Sequence, residues 1–141
     1  MPTREQIVAA GRSWIGTPFV HQGRVKGQAC DCVGLPIMVA KELGIAVEDE
    51  TNYTREPEGT RVLDGARERM VEKPIAQMQP GDVIILRLPH SPCHTALVAS
   101  LNGHLTMIHA YNRINNEVVE NYIDQYWRRH IAACFTFKGV E

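Results

Sequence analysis

Asn102-Gly103 lies between two short apolar runs, Thr95-Ala96-Leu97-Val98 and Leu105-Thr106-Met107-Ile108. A two-residue type I′ turn needs positive φ at both central positions, and Asn-Gly supplies it at the least steric cost, so this dipeptide predicts a β-hairpin and fixes its register. Leu101 then pairs with His104, and counting back along the two strands sets His109 opposite Ala96. Side chains alternate along a strand, so His94 shares a face with Ala96 and His109. The two imidazoles become diagonal neighbours, near enough to interact. His104, opposite Leu101, points to the other face.

The rest of the chain fits around that hairpin. Short apolar runs at Val83-Ile84-Ile85-Leu86, Val118-Val119 and Ala133-Cys134-Phe135-Thr136-Phe137 add strands after Gly81. The first half instead shows helical spacing. Thr3-Arg4-Glu5-Gln6 reads as a capping box ahead of Ile7, Val8, Gly11, Trp14 and Ile15, and Gly16-Thr17-Pro18 stops the run. Gly16, Gly23, Gly27 and Pro18 argue against a regular element up to residue 30. Asp31 then offers an N-cap for a second helix reaching about Gly44, with Cys32 in its first turn and Pro36 tolerable only because it stands near that start. A polar stretch from Glu48 to Gly59 leads to a third helix carrying Val62, Leu63, Ala66, Met70 and Val71 on one face before Pro74. Helices followed by strands predict an α+β fold, helices packed on an antiparallel sheet of about five strands. A chain of 141 residues is expected to form one domain, 1–141.

Charge and cysteine usage narrow the function. The formal net charge is −1 and no segment gathers Lys and Arg, which argues against nucleic acid as a partner. No apolar run approaches the ~18 residues that cross a bilayer, and Met1-Pro2-Thr3-Arg4-Glu5-Gln6 lacks a secretory profile, so the expectation is a chain made in the cytoplasm without membrane insertion. The four cysteines are then expected to be mostly thiols.

A helix start and a nearby imidazolium both stabilise a thiolate, and these features meet at Cys32. Cys32 is the candidate nucleophile, His94 the base and then acid, and His109 the group that holds the His94 ring. The backbone N–H of Cys32 is the natural oxyanion donor. Singly, a cysteine is more often a small buried hydrophobe and a strand histidine a structural one, so the weight rests on the combination. His21, in the glycine-rich loop, is a candidate substrate contact. His90 and His130 read as surface residues, Cys30 as core. Arg12, Arg24 and Lys26 flank the expected groove. A competing metal-binding reading takes Cys30, Cys32, Cys93 and His94 as a Cys3His zinc set, although Cys-x-Cys is tighter than the usual zinc spacing.

The ordered set Gly16-Thr17-Pro18-Phe19, Cys30-Asp31-Cys32-Val33-Gly34-Leu35, Pro80-Gly81-Asp82-Val83, His94-Thr95-Ala96-Leu97 and Ile108-His109-Ala110 resembles the NlpC-type cell-wall peptidases along nearly the whole chain. Cys30-Asp31-Cys32, His21-Gln22-Gly23 and Trp127-Arg128-Arg129 are most similar to the branch found among phage tail and gene-transfer-agent genes. The resemblance implies a papain-like fold and a Cys32, His94, His109 triad that needs no cofactor or metal. It also implies hydrolysis of peptidoglycan stem peptides, typically between D-Glu and a diamino acid. It places Phe19, Asp31 and Val33 in the substrate subsite, where relatives that grip a free amine usually carry Tyr for Phe19 and Ser for Val33. It further implies tail-tip proteins as partners and a tail-borne enzyme, or an endolysin, acting at the host cell wall. The alternative within this resemblance is a structural tail-tip protein that keeps the peptidase fold as an assembly surface.

Overall fold

The computed structural model describes residues 1–49, 61–89, 91–111 and 116–140, with the backbone alone for 61 and 91–93. Helix α1 (Arg4–Arg12) begins with the expected capping box. Thr3 Oγ1 accepts from the Gln6 N–H at 3.1 Å, and the Thr3 N–H donates to Gln6 Oε1 at 2.8 Å. A two-stranded ribbon of β1 (Arg24–Val25) and β2 (Ala29–Cys30) follows, and then α2 (Gly34–Glu42) and α3 (Arg61–Arg69). The remaining elements are β3 (Met70–Lys73), a 3-10 turn (Ile75–Gln77), β4 (Val83–Leu88), β5 (Ser91–Leu101), β6 (His104–Tyr111), β7 (Glu117–Tyr122), α4 (Gln125–His130) and β8 (Ile131–Phe137). The main sheet has the order β3-β8-β4-β5-β6-β7, and the pairings among its described strands are antiparallel.

The hairpin closes as expected. Leu101 pairs with His104 and the register runs on to Leu97 opposite Ile108, with Asn102 at φ 54° and Gly103 at φ 79°. One sheet face, carrying Val83, Leu97, Ile108 and Ala110, packs on Ile7 and Val8 of α1 and Leu35 and Val39 of α2. The other face, carrying Ile84, Leu86, Ala96, Val98 and Met107, packs on Trp127 and Ile123. Gly11 is where α1 presses on β5: a Cβ there would collide with the Leu97 side chain. The buried Asp82 ties α1 to the turn before β4, held by Arg4 at 2.7 Å and Lys73 at 2.8 Å.

Two local expectations need correction, and one short helix was not expected. The third helix stops at Arg69, and Met70–Lys73 forms β3 against β8, which completes a main sheet of six strands, close to the expected five. Met70 stands opposite Phe137, and Pro74 disfavours helical geometry at Lys73, so the open edge of β8 takes the segment. Helix α4, capped by Asp124 through the Trp127 N–H at 3.1 Å, is too short to show periodicity in the sequence. Ile15 lies beyond the end of α1 and is exposed, whereas Trp14 is buried.

Candidate active site

Two register steps build the polar centre of the sheet. His94 on β5 and His109 on β6 are both buried, and His94 Nε2 lies 2.6 Å from His109 Nδ1. On the next strand, Val119 is opposite His109, so Asn121 is its diagonal neighbour on the same face, and Asn121 Oδ1 lies 2.6 Å from His109 Nε2. The relay therefore crosses three strands by the same diagonal step. Asn121 was not singled out from the sequence, because its role depends on the β6–β7 register.

The hydrogen-bond pattern assigns the tautomers. Asn121 Nδ2 donates to the Tyr122 carbonyl at 3.3 Å, which leaves Oδ1 to accept from His109 Nε2–H. His109 Nδ1 must then accept from His94 Nε2–H, and His94 Nδ1 is left with its lone pair. Burial lowers both imidazoles. His94 falls well below its ordinary 6.5, by burial first and by His109 second; His109 falls to about 4, partly opposed by its bond to Asn121. Both rings are thus neutral at pH 7. Tyr111 stacks on His109 at 5.3 Å between centroids, and Trp127 meets the same ring edge-on at 5.6 Å, so the pair is clamped in an aromatic wall.

Cys32 sits in the turn that opens α2. Regular helix begins at Gly34, but Asp31 performs the expected capping: its Oδ1 accepts from the Gly34 N–H at 2.8 Å. Cys32 is half-buried, and the backbone amides of Thr95, Val33 and Cys32 itself lie close enough to its sulfur to favour the thiolate. Because Thr95 follows His94 directly on β5, that contact brings the thiol beside the histidine strand. The expected low thiol pKa is not what the free site shows. Burial, and then the Asp31 carboxylate, push the Cys32 thiol up to about 12, against the pull of the three amides. A buried neutral His94 offers no imidazolium to offset them, so the resting site holds a thiol.

Phe19 and Val33 are half-buried; Phe19 packs on the core, and Val33 lines an apolar pocket of about 120 Å³ between α2, α3 and the sheet. Thr95 lines the same pocket, and its buried Oγ1 has no hydrogen-bond partner among the described residues. His21 is half-buried in the loop before β1. The three flanking cations are all engaged, Arg12 with Glu120 at 2.9 Å, Lys26 with Glu42 at 3.0 Å and Arg24 with Asp31 at 3.0 Å. Cys30 is buried in the core and its thiol donates to the Asp31 carbonyl. His104 is exposed, and His130 bonds the Tyr126 carbonyl. His90 and the Cys93 side chain lie outside the described residues. Among the described residues no group of three or more His, Cys, Asp or Glu is placed to hold a metal.

Residues 16–135, which include the helix-start cysteine and both histidines, match the model of the NlpC/P60 family. The chain belongs to the NlpC/P60 family. Solved structures share the fold. A lipoprotein-like NLP/P60 protein of Staphylococcus aureus aligns over 95% of this chain and 41% of its own, at 20% identity and TM-score 0.66. The NlpC/P60 domain of the peptidoglycan hydrolase SagA aligns over 96% of this chain and all of its own, at 20% identity and TM-score 0.67. Ly7917, solved with the hydrolysis product of MDP, aligns over 98% of this chain and 64% of its own, at 12% identity and TM-score 0.62. The chain thus spans about two fifths of the staphylococcal protein. Among curated proteins nothing matches it.

Proposed function

We propose that this NlpC/P60 domain is a cysteine peptidase or amidase that cuts peptide bonds in bacterial peptidoglycan stems. The observation that carries the reading is the buried His94–His109–Asn121 relay, whose two 2.6 Å steps leave His94 Nδ1 as a free base on the strand that also touches Cys32. In the reaction, His94 Nδ1 takes the Cys32 proton as sulfur attacks the scissile carbonyl. The resulting imidazolium is held through Nε2–H by His109 Nδ1, and His109 is kept in that tautomer by Asn121. The amides that now lie close to the sulfur, that of Cys32 first, are donors for the tetrahedral oxyanion. His94 returns the proton to the leaving amine, and water then hydrolyses the thioester with His94 again as base.

The substrate class is supported by the family and by relatives that are a peptidoglycan hydrolase and a complex with an MDP hydrolysis product. Within it, we assign the D-Glu to diamino-acid bond, with Phe19, His21, Asp31 and Val33 around the subsite. The Cys30-Asp31-Cys32, His21-Gln22-Gly23 and Trp127-Arg128-Arg129 motifs support a phage-tail or gene-transfer-agent setting, tested by mass spectrometry of purified particles. The enzymatic reading is tested by mass spectrometry of peptidoglycan digested with wild type and Cys32→Ala, with and without chelator. New stem fragments that depend on Cys32 and survive chelation are expected; no fragments from the wild type would overturn it.

A further inference from the structure

The turn that carries Cys32 is held by a charge cluster that the relay does not use. Asp31 is buried and, among the described residues, accepts N–H groups from Gly34 and Arg24 Nη1 on Oδ1, at 2.8 and 3.0 Å, and from Gln22 on Oδ2 at 2.8 Å. Gln22 reaches it from a left-handed conformation, φ 62°, which a non-glycine residue adopts only at some cost. The Arg24 guanidinium spans two acids, since its Nε and Nη2 edge lies 3.1–3.2 Å from Asp49 while Nη1 lies on Asp31. Lys41 approaches Asp49 from α2 at 3.7 Å. Gly34 makes room for this arrangement: a Cβ there would stand 2.7 Å from Arg24 Nη1 and 2.6 Å from the Gly23 carbonyl.

We propose that Arg24 is a positioning residue for the nucleophile: it neutralises Asp31, so that the Cys32 thiolate forms beside an ion pair instead of an uncompensated carboxylate. This rests on Cys32 being the nucleophile, as proposed above. The Asp31 carboxylate acts on the thiol from its own turn, Cys30 is coupled to it from the ribbon, and the backbone of Thr95, next to His94, lies beside it from the sheet; Arg24 meets Asp31, with Asp49 and Lys41 behind it. Among the described residues Asp31 is the acid that acts on Cys32, and its charge works against the thiolate. A salt bridge 12% exposed on the Arg24 side and 4% on the Asp31 side is weakly screened, so the guanidinium offsets that charge effectively. Without it, Gln22 and Gly34 still donate to the carboxylate, and its uncompensated field falls on the sulfur.

The test is the pH dependence of Cys32 alkylation by iodoacetamide in the full chain, with tandem mass spectrometry separating Cys32 from Cys30. Arg24→Gln should move the profile to higher pH and slow alkylation at pH 7 about tenfold, the effect of one pKa unit. Arg24→Lys should recover part of the rate, and Arg24→Gln combined with Asp31→Asn should restore the wild-type profile, because the charge to be offset is gone. An Arg24→Gln profile that superimposes on wild type overturns the proposal, and so does a loss that Asp31→Asn does not reverse in a protein with wild-type circular dichroism. If Arg24→Gln fails to fold, the Arg24→Lys and double-variant profiles decide between the same outcomes. Iodoacetamide is not a peptide, so a chain that alkylates as expected yet cuts no stem peptide refutes the hydrolase and leaves the role of Arg24 standing.

Discussion

Acid should destabilise this protein through its buried histidine pair. His109 has no exposed surface, and burial holds its imidazole at about 4 against an ordinary 6.5. Between those values the unfolded chain binds a proton at this residue that the folded chain does not. The contribution is therefore intact above pH 6.5, falls as the pH drops through the window, and is lost below about 4. At about 1.4 kcal/mol per unit of separation, His109 alone removes roughly 3 kcal/mol across that window. His94 is shifted in the same direction and adds to the loss. Against a total stability of about 5–15 kcal/mol this is a large share. Urea denaturation of wild type and His109→Gln at pH 7, 5.5 and 4 reads the term, together with the smaller change at His94 that the loss of its neighbour brings. The variant should be less stable at pH 7, and its deficit should shrink by roughly 3 kcal/mol at pH 4. A deficit that does not change with pH would refute the neutral, buried pair.

Further outcomes follow from the same geometry. Cys32→Ala and His94→Ala should each lower stem-peptide hydrolysis by about three orders of magnitude or more with unchanged circular dichroism, whereas His104→Ala, on the exposed side of the hairpin, should leave the rate unchanged; comparable loss from His104→Ala would refute the register. Asn121→Ala strips the acceptor from His109 Nε2–H and should cost about 1–3 kcal/mol in thermal or chemical denaturation, with kcat falling more than KM. Asn121→Asp keeps an acceptor but favours a protonated His109, whose Nδ1 then donates to His94, so the acid limb of the pH–rate profile should move to higher pH. Gly34→Ala should destabilise the chain by about 1–3 kcal/mol, measured by urea unfolding, as the new methyl pushes against Gly23 and Arg24.

Much of the site was legible because it is built from short-range rules. Asn102-Gly103 admits one tight turn, and a register once fixed there carries along the strands to bring His94 to His109. Asp31 and the breakers before it mark a helix start within a few residues, which places Cys32. Less was legible wherever a distant strand decides. Met70 and Val71 fit a helical face as well as a strand, and only the open edge of β8 settles the choice. Trp127-Arg128-Arg129 showed no periodicity, because a helix of six residues completes fewer than two turns.

By itself, the sequence determined the helices-then-strands order, the hairpin register and the pairing of two histidines on one face, since each follows from backbone preferences within a few residues. The tertiary structure alone decided that Asn121 ends the relay, because the stretch from Asn112 to Asn116 carries no Asn-Gly turn to fix the β6–β7 register. It alone decided the charge states as well. Neutral histidines, a raised thiol and an Arg24 committed to Asp31 are set by burial and by neighbours far along the chain, and the cost of removing a charge from water is written in no local pattern.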